Sequence, residues 1–195
     1  MAIDKSNGYE GIAKLFIKGR GRAVHGIGVS SVRSWVQTFP KNSTFLDLGC
    51  GTGIPVSMIL DQAGMHVCGI DASPSMVEAY QQNFPKNEVR CEAAEESSFF
   101  NRTFDGIISW GLLFLLTKDA QEIVIQNAAK ALQPGGRLVF TSPPCPIQWK
   151  DAMTDRDSVS LGAERYKELL TASGLMLVSE FEDEGENHYY NAIKI

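Results

Sequence analysis

The residues best placed to do chemistry fall in two short runs. Asp47-Leu48-Gly49-Cys50-Gly51-Thr52-Gly53 sets an acid and three glycines at the end of an apolar stretch, and Asp71 closes a second apolar stretch, 66–71. Glycines let the backbone approach a ligand closely and adopt positive φ. A carboxylate at the end of a second strand can accept hydrogen bonds from both ribose hydroxyls of an adenosine. The spacing narrows the ligand. A dinucleotide turn of the form Gly-x-Gly-x-x-Gly needs glycine at 54 when counted from Gly49, or at 56 when counted from Gly51. Ile54 and Val56 stand there. No Gly-Lys-Ser/Thr follows, which removes the P-loop reading. The pattern Asp-x-Gly-x-Gly-x-Gly suits a cationic, amino-acid-bearing ligand better than a pyrophosphate, which prefers an unobstructed helix N-terminus.

Those runs need strands and helices to hold them. Residues 8–39 read as helical, with Val29, Val32, Val36 and Phe39 on one face beside Trp35. Lys18-Gly19-Arg20-Gly21-Arg22, Gly26 and Gly28 break this segment in two. From residue 44 strands and helices alternate. Strands are expected at 44–48, 66–71, 87–92, 104–109 and 137–141. The first helix follows Pro55, presents Val56, Ile59, Leu60 and Ala63, and stops at Gly64. Ser73-Pro74 opens the next with an N-cap and a proline in the first turn. Further helices are expected at 120–132 and 164–173. The pattern then ends in two strands, 175–182 and 188–195, whose short connection permits only antiparallel pairing. The expected fold is α/β: a doubly wound, mostly parallel, seven-stranded Rossmann-like sheet with an antiparallel hairpin at its C-terminal edge. The expected organisation is one domain over 1–195, with an N-terminal helical cap (1–40) and the Rossmann-like core (41–195). In such sheets ligands bind at the carboxyl ends of the strands, where both runs lie.

Over residues 44–143 the chain resembles the class I S-adenosylmethionine-dependent methyltransferases. Asp47-Leu48-Gly49-Cys50-Gly51-Thr52-Gly53 is similar to that family's first motif, and Gly69-Ile70-Asp71-Ala72-Ser73-Pro74-Ser75-Met76 to its second. Phe104-Asp105-Gly106-Ile107-Ile108-Ser109-Trp110 matches its fourth strand, and Leu132-Gln133-Pro134-Gly135-Gly136-Arg137-Leu138 its turn into the fifth. The resemblance implies S-adenosyl-L-methionine as cofactor, with S-adenosyl-L-homocysteine as product. It implies that Asp47, Gly49, Cys50, Gly51 and Gly53 wrap the methionine part, that Asp71 holds the ribose, and that Ala72 and Met76 flank the adenine. Ala94 and Glu95 are expected near the adenine, and Ser109 and Trp110 face the cofactor from the fourth strand's end. Many relatives carry Asp-Ala-Glu after the third strand, where this chain reads Ala93-Ala94-Glu95. Ala93 has no side chain for the adenine amino group.

Methyl transfer from a sulfonium is an in-line displacement that mainly requires positioning and exclusion of water. No metal site is expected, and no single residue is expected to be indispensable; His25 and Trp110 are the weak catalytic candidates. The acceptor side is expected to come from Ser109, Trp110 and residues 142–149, and Tyr9, Arg20, Arg22 and His25 of the N-terminal segment are expected to reach the cofactor carboxylate or the acceptor. For Arg20 and Arg22 a solvated basic loop is an equal reading. Ser142-Pro143-Pro144-Cys145 resembles a base-clamping motif of DNA methyltransferases, but it follows the fifth strand and lacks the final aromatic, so it reads as a rigid turn. His66, His188 and Trp35 read as structural, and the acidic stretch 180–186 as a solvated hairpin tip.

The 195 residues carry 44% hydrophobic and 21% charged side chains and a net charge of -5, which argues against an electrostatic grip on nucleic acid. Cys50, Cys68, Cys91 and Cys145 form no Cys-x-x-Cys pair and read as reduced, mostly buried thiols. The first residues lack the apolar core of a signal peptide, and the longest apolar run, 106–116, falls short of the ~20 residues that span a membrane. The expected protein is cytoplasmic and acts on a small-molecule acceptor. Two alternatives stay open: a non-catalytic module that binds the same cofactor, and an NAD(P)-dependent oxidoreductase.

Overall fold

The structure, a computed structural model, describes residues 4–195; the first three residues of the 1–40 segment lie outside it. In chain order it contains α1 (Tyr9–Lys18), α2 (Val29–Val36), β1 (Thr44–Leu48), α3 (Val56–Gln62), β2 (His66–Asp71), α4 (Pro74–Asn83), β3 (Glu88–Cys91) and β4 (Phe104–Ser109). There follow α5 (Lys118–Ala131), β5 (Leu132–Thr141), β6 (Ile147–Lys150), β7 (Asp157–Ser160), α6 (Ala163–Ala172), β8 (Leu175–Glu182) and β9 (His188–Lys194). Seven strands form one sheet in the order β3-β2-β1-β4-β5-β9-β8. All neighbouring pairs up to β5 are parallel. The last strand, β9, turns back and inserts between β5 and β8, antiparallel to both. The hairpin therefore docks by its second strand, and β8 becomes the edge.

Side chains alternate between two cores with the period of two that strands impose. Leu46, Ile107, Leu138, Phe140 and Tyr190 face α5 and α6, with Val124, Ala128, Tyr166 and Leu170 across from them. Phe45, Ile108, Val139 and Tyr189 face α2 and α3, with Val32, Trp35, Ile59 and Leu60 opposite. Each large apolar side chain so enclosed contributes roughly 1.5–3 kcal/mol. Trp35 is packing, as its spacing suggested, and its indole N–H donates to Asn191 Oδ1 at 3.0 Å.

Three details differ from the sequence reading. Strand β5 starts at Leu132, because Leu132 already pairs with Phe104 before a register shift around the Pro134-Gly135 turn. Residues 142–149 are not a simple loop: β6 and β7 form a separate antiparallel ribbon. Gln121 of α5 holds this ribbon by donating to Val159 O at 2.9 Å. Cys50 and Cys68 are buried, but Cys91 and Cys145 are exposed, so burial holds for only half of the thiols.

In the centre of the sheet Phe45 of β1 pairs with Gly106 of β4, and the Phe45 ring covers the glycine. A Cβ at 106 would overlap that ring. Gly106→Ala is expected to lower stability by about 1–3 kcal/mol, the usual cost of overpacking. Urea unfolding reads this directly, and an unchanged midpoint would contradict the packing described.

Candidate functional site

The strand order reverses between β1 and β4, and a crevice opens there at the carboxyl ends. A cavity of about 710 Å³ occupies it. Of the residues expected to bind the cofactor, Asp47, Gly49, Cys50, Gly51, Asp71, Ala72, Met76, Ala94, Glu95 and Trp110 line this cavity. Gly53 and Ser109 do not. A Cβ on Gly53 would run into Phe84 and Tyr80, so this glycine permits α4 to pack against the turn. Ser109 is fully buried at the end of β4.

The turn is shaped by Asp71. Its Oδ2 accepts the Gly51 N–H and its Oδ1 the Ser73 N–H, both at 2.8 Å. One carboxylate thus sets the glycine turn and the entry to α4 together. Each oxygen keeps a further lone pair for a ligand hydroxyl. Burial pushes the Asp71 carboxyl pKa up in spite of these two donors. Gly49 and Gly51 take φ values of 70° and 53°, and a Cβ on Gly51 would meet only the edge of the Phe16 ring, at 4.0 Å. Ser73 caps α4 by accepting Met76 N–H at 3.2 Å, with Pro74 in its first turn.

The N-terminal segment closes over this floor. Glu10 of α1 accepts the Ser75 N–H at 3.1 Å and the hydroxyls of Ser73 and Ser75, which places its carboxylate at the N-terminus of α4. Those donors lower its pKa. Thr52 Oγ1 donates to Gly21 O at 2.7 Å and fastens the segment between α1 and α2 to the glycine turn. Arg20 and His25 line the cavity there, as does Tyr9, whereas Arg22 does not. Lys5 pairs with Glu95 at 3.2 Å and with Glu96 at 2.8 Å.

The acidic stretch 180–186 departs from a solvated tip. Glu180 pairs with Lys167 and His188, and Asp183 Oδ1 accepts the backbone N–H of Gly185 and of Asn187 inside the turn. Glu184 Oε1 accepts the Gly28 N–H at 3.2 Å, and Gly185 and Asn187 reach the cavity wall. His188 is held by Glu180 and Glu182 against Tyr190, a structural role. Trp110 spends its only donor on Tyr189 OH at 2.8 Å, and that hydroxyl donates to Asp183 Oδ2 at 2.9 Å. Trp110 therefore offers the cavity a ring and no proton. Ser142 lies in a buried set with Tyr166 and Gln121, outside the cavity, and the chain bends after it at Pro144-Cys145.

Sequence reasoning missed Lys5, Glu10, Asp151 and the Gly185–Asn187 wall. Only Asp151 carried a local signal, because an Asp three residues before Thr154 marks an Asx-type turn. Its Oδ1 accepts the N–H of Met153 and of Thr154. Nothing local placed it beside Tyr9.

The donor set fits S-adenosylmethionine. Asp71 has lone pairs to spare, and the glycine turn leaves room for a main-chain-sized group. Glu95 lines the cavity with Oε2 buried and without a hydrogen-bond partner among the described residues. An acceptor atom left so at the expected adenine end calls for a donor such as an exocyclic amine.

Residues 45–136 match the family described as "Methyltransferase domain". The cypemycin N-terminal methyltransferase of Streptomyces sp is 32% identical over 127 residues, covering 63% of this chain and 51% of that protein. The chain spans about half the length of two curated relatives, this methyltransferase and an O-methyltransferase of Aspergillus nomiae. CalS10, an amino pentose methyltransferase from Micromonospora echinaspora solved with bound cofactor, superposes with a TM-score of 0.74 at 16% identity, over 94% of this chain and 97% of that one. The [4+2]-cyclase SpnF superposes at 0.77 with 15% identity, over 98% and 96%. These two likenesses concern the fold.

Asp47 gives the site a pH signature. It is buried beneath the turn, where Ser57 Oγ donates to it at 2.7 Å, and burial pushes its pKa up to about 7. Between an unfolded pKa of about 3.9 and this value, the folded chain holds a proton that the unfolded chain has released. Stability therefore falls as pH rises through that window, by up to about 4 kcal/mol. Asp47→Asn keeps an acceptor for Ser57 and removes the titration. Melting temperatures between pH 5 and 7.5 should decline less in the variant than in the wild type; parallel declines would refute the assignment. Motif order, strand-end carboxylates and the matched residues coincide over residues 45–136, where the chain is similar to the methyltransferase domain family.

Proposed function

We propose that this chain transfers a methyl group from S-adenosylmethionine to a small-molecule acceptor. The observation that carries the reading is the continuity of one cavity. It runs from Asp71, Ala72 and Glu95 at the strand ends to a chamber walled by Phe16, Ile27, Trp110 and Phe114. Clefts of roughly 300–1,000 Å³ enclose drug-sized ligands, so this space suits a cofactor with a small acceptor beside it. When bound, the cofactor supplies a methyl group activated on a sulfonium. The chain then binds and orients. Asp71 accepts the ribose hydroxyls, Glu95 Oε2 takes a donor at the adenine, and the main chain of Gly49 and Gly51 borders the amino-acid part. Arg20 offers its guanidinium to a carboxylate. The aromatic walls keep water from the acceptor, and holding the nucleophile in line provides the rate. Because residues 20–28 cover the chamber, the acceptor must be small or present a slender end. Action in the cytoplasm belongs to the same proposal, supported by four unpaired cysteines. No helix among the described residues is long and apolar enough to cross a membrane.

Calorimetric titration with S-adenosylhomocysteine tests the cofactor. Wild type is expected to bind. Asp71→Ala should bind roughly 10–100-fold more weakly, since hydrogen bonds to a charged group contribute about 1.5–3 kcal/mol. Equal binding by the variant would place the cofactor elsewhere, and NAD binding in its stead would favour an oxidoreductase. Formation of S-adenosylhomocysteine from S-adenosylmethionine with pooled small acceptors tests the transfer. Binding without any turnover would leave a cofactor-binding module.

A further inference from the structure

Two polar side chains of the acceptor chamber have no part in holding the cofactor. Asp151 follows β6, and its Oδ1 is occupied by its own turn, which donates Met153 N–H at 3.0 Å, Thr154 N–H at 2.9 Å and Thr154 Oγ1 at 3.1 Å. These bonds fix the carboxylate. Among the described residues its Oδ2 has one hydrogen-bond partner, the Tyr9 hydroxyl at 3.4 Å, at the long limit of a hydrogen bond. Both residues line the cavity. A preset carboxylate oxygen with unused lone pairs thus borders the cavity that Phe16, Ile27, Trp110 and Phe114 also line.

We infer that Asp151, steadied by its turn and flanked by Tyr9, selects an amine on an apolar body as the methyl acceptor, an inference that rests on the methyl-transfer reading above. A carboxylate only accepts hydrogen bonds, so its ligand must be a donor. Asp71 and Glu95 line the same cavity and disfavour an anionic acceptor, Lys5 being paired there with Glu95 and Arg20 assigned above to the cofactor carboxylate. Desolvation separates the remaining donors. An apolar chamber favours the neutral form of any group. An amine binds beside Asp151 as its ammonium and gives one proton to solvent before transfer, a loss the apolar wall favours and which frees the nucleophilic lone pair; for a phenol the neutral form is the inert one. Tyr9 illustrates the second case, because burial and the Asp151 charge push its phenol up to about 12. In the transfer the amine lone pair becomes the new N–C bond. The C–S bond breaks, its electron pair stays on sulfur, and the sulfonium becomes a neutral sulfide. The N-methylammonium formed is paired by Asp151 Oδ2 until its proton passes to solvent.

The test uses binding. With S-adenosylhomocysteine present, 2-phenylethylamine, 2-phenylethanol and phenylacetate are titrated into wild type, Asp151→Asn and Tyr9→Phe. Asparagine keeps the Oδ1 acceptor for the 153–154 turn and replaces Oδ2 with a donor. Wild type is expected to bind the amine at least tenfold tighter than the alcohol or the acid. Asp151→Asn should erase that preference while S-adenosylhomocysteine binding and melting temperature hold. Tyr9→Phe should keep the preference, because Oδ2 remains. The inference is overturned if the alcohol or acid binds as well as the amine, if Asp151→Asn retains the preference, or if the amine shows no binding at millimolar concentration. Failure of S-adenosylhomocysteine to bind wild type would instead reject the methyl-transfer reading itself.

Discussion

The Asp71 carboxylate is the contact on which the site depends. It reaches two backbone N–H groups, Gly51 in the turn after β1 and Ser73 before α4. Two neighbouring strand ends are thereby locked in one arrangement. A buried carboxylate without donors would cost several kcal/mol, so the turn must close around it. The positive φ of Gly49 and Gly51 follows from that closure. Ser73, placed by the same bond, caps α4 and presents its hydroxyl to Glu10.

From this point the N-terminal segment becomes part of the site. Glu10 sits on the α4 N-terminus, Thr52 binds Gly21, and Glu184 binds Gly28. These contacts join residues 31 to 156 positions apart in the chain. They turn an open crevice at the strand ends into a chamber with a wall of aromatic rings. The floor of the cavity comes from the sheet, and the roof comes from α1 and the segment after it. A shared fold leaves the reaction open, as a cyclase and a methyltransferase with closely similar folds illustrate. In the proposal above, the acceptor is chosen by the side chains that the roof and the 151–154 turn bring to the chamber.

The chain's own order of residues determined the sheet, the glycine turn and the two strand-end acids. These are local properties. Apolar runs of strand length, helical apolar spacing, Ser73-Pro74 at a helix start and the 183–187 connection each act within a few residues. That is why β1, β2 and β4 fall where their periodicity puts them. Tertiary structure alone decided the rest. Gly53 and Gly51 are both glycines in one turn, yet the first packs on Phe84 and Tyr80 while the second borders the cavity. The acidic tip looked solvated because its partners, Lys167 and Gly28, are distant in sequence. The β6–β7 ribbon is held by Gln121 rather than by a long apolar run of its own. Asp151 meets Tyr9 across 142 positions, a juxtaposition that arises only when helix, ribbon and sheet have packed together.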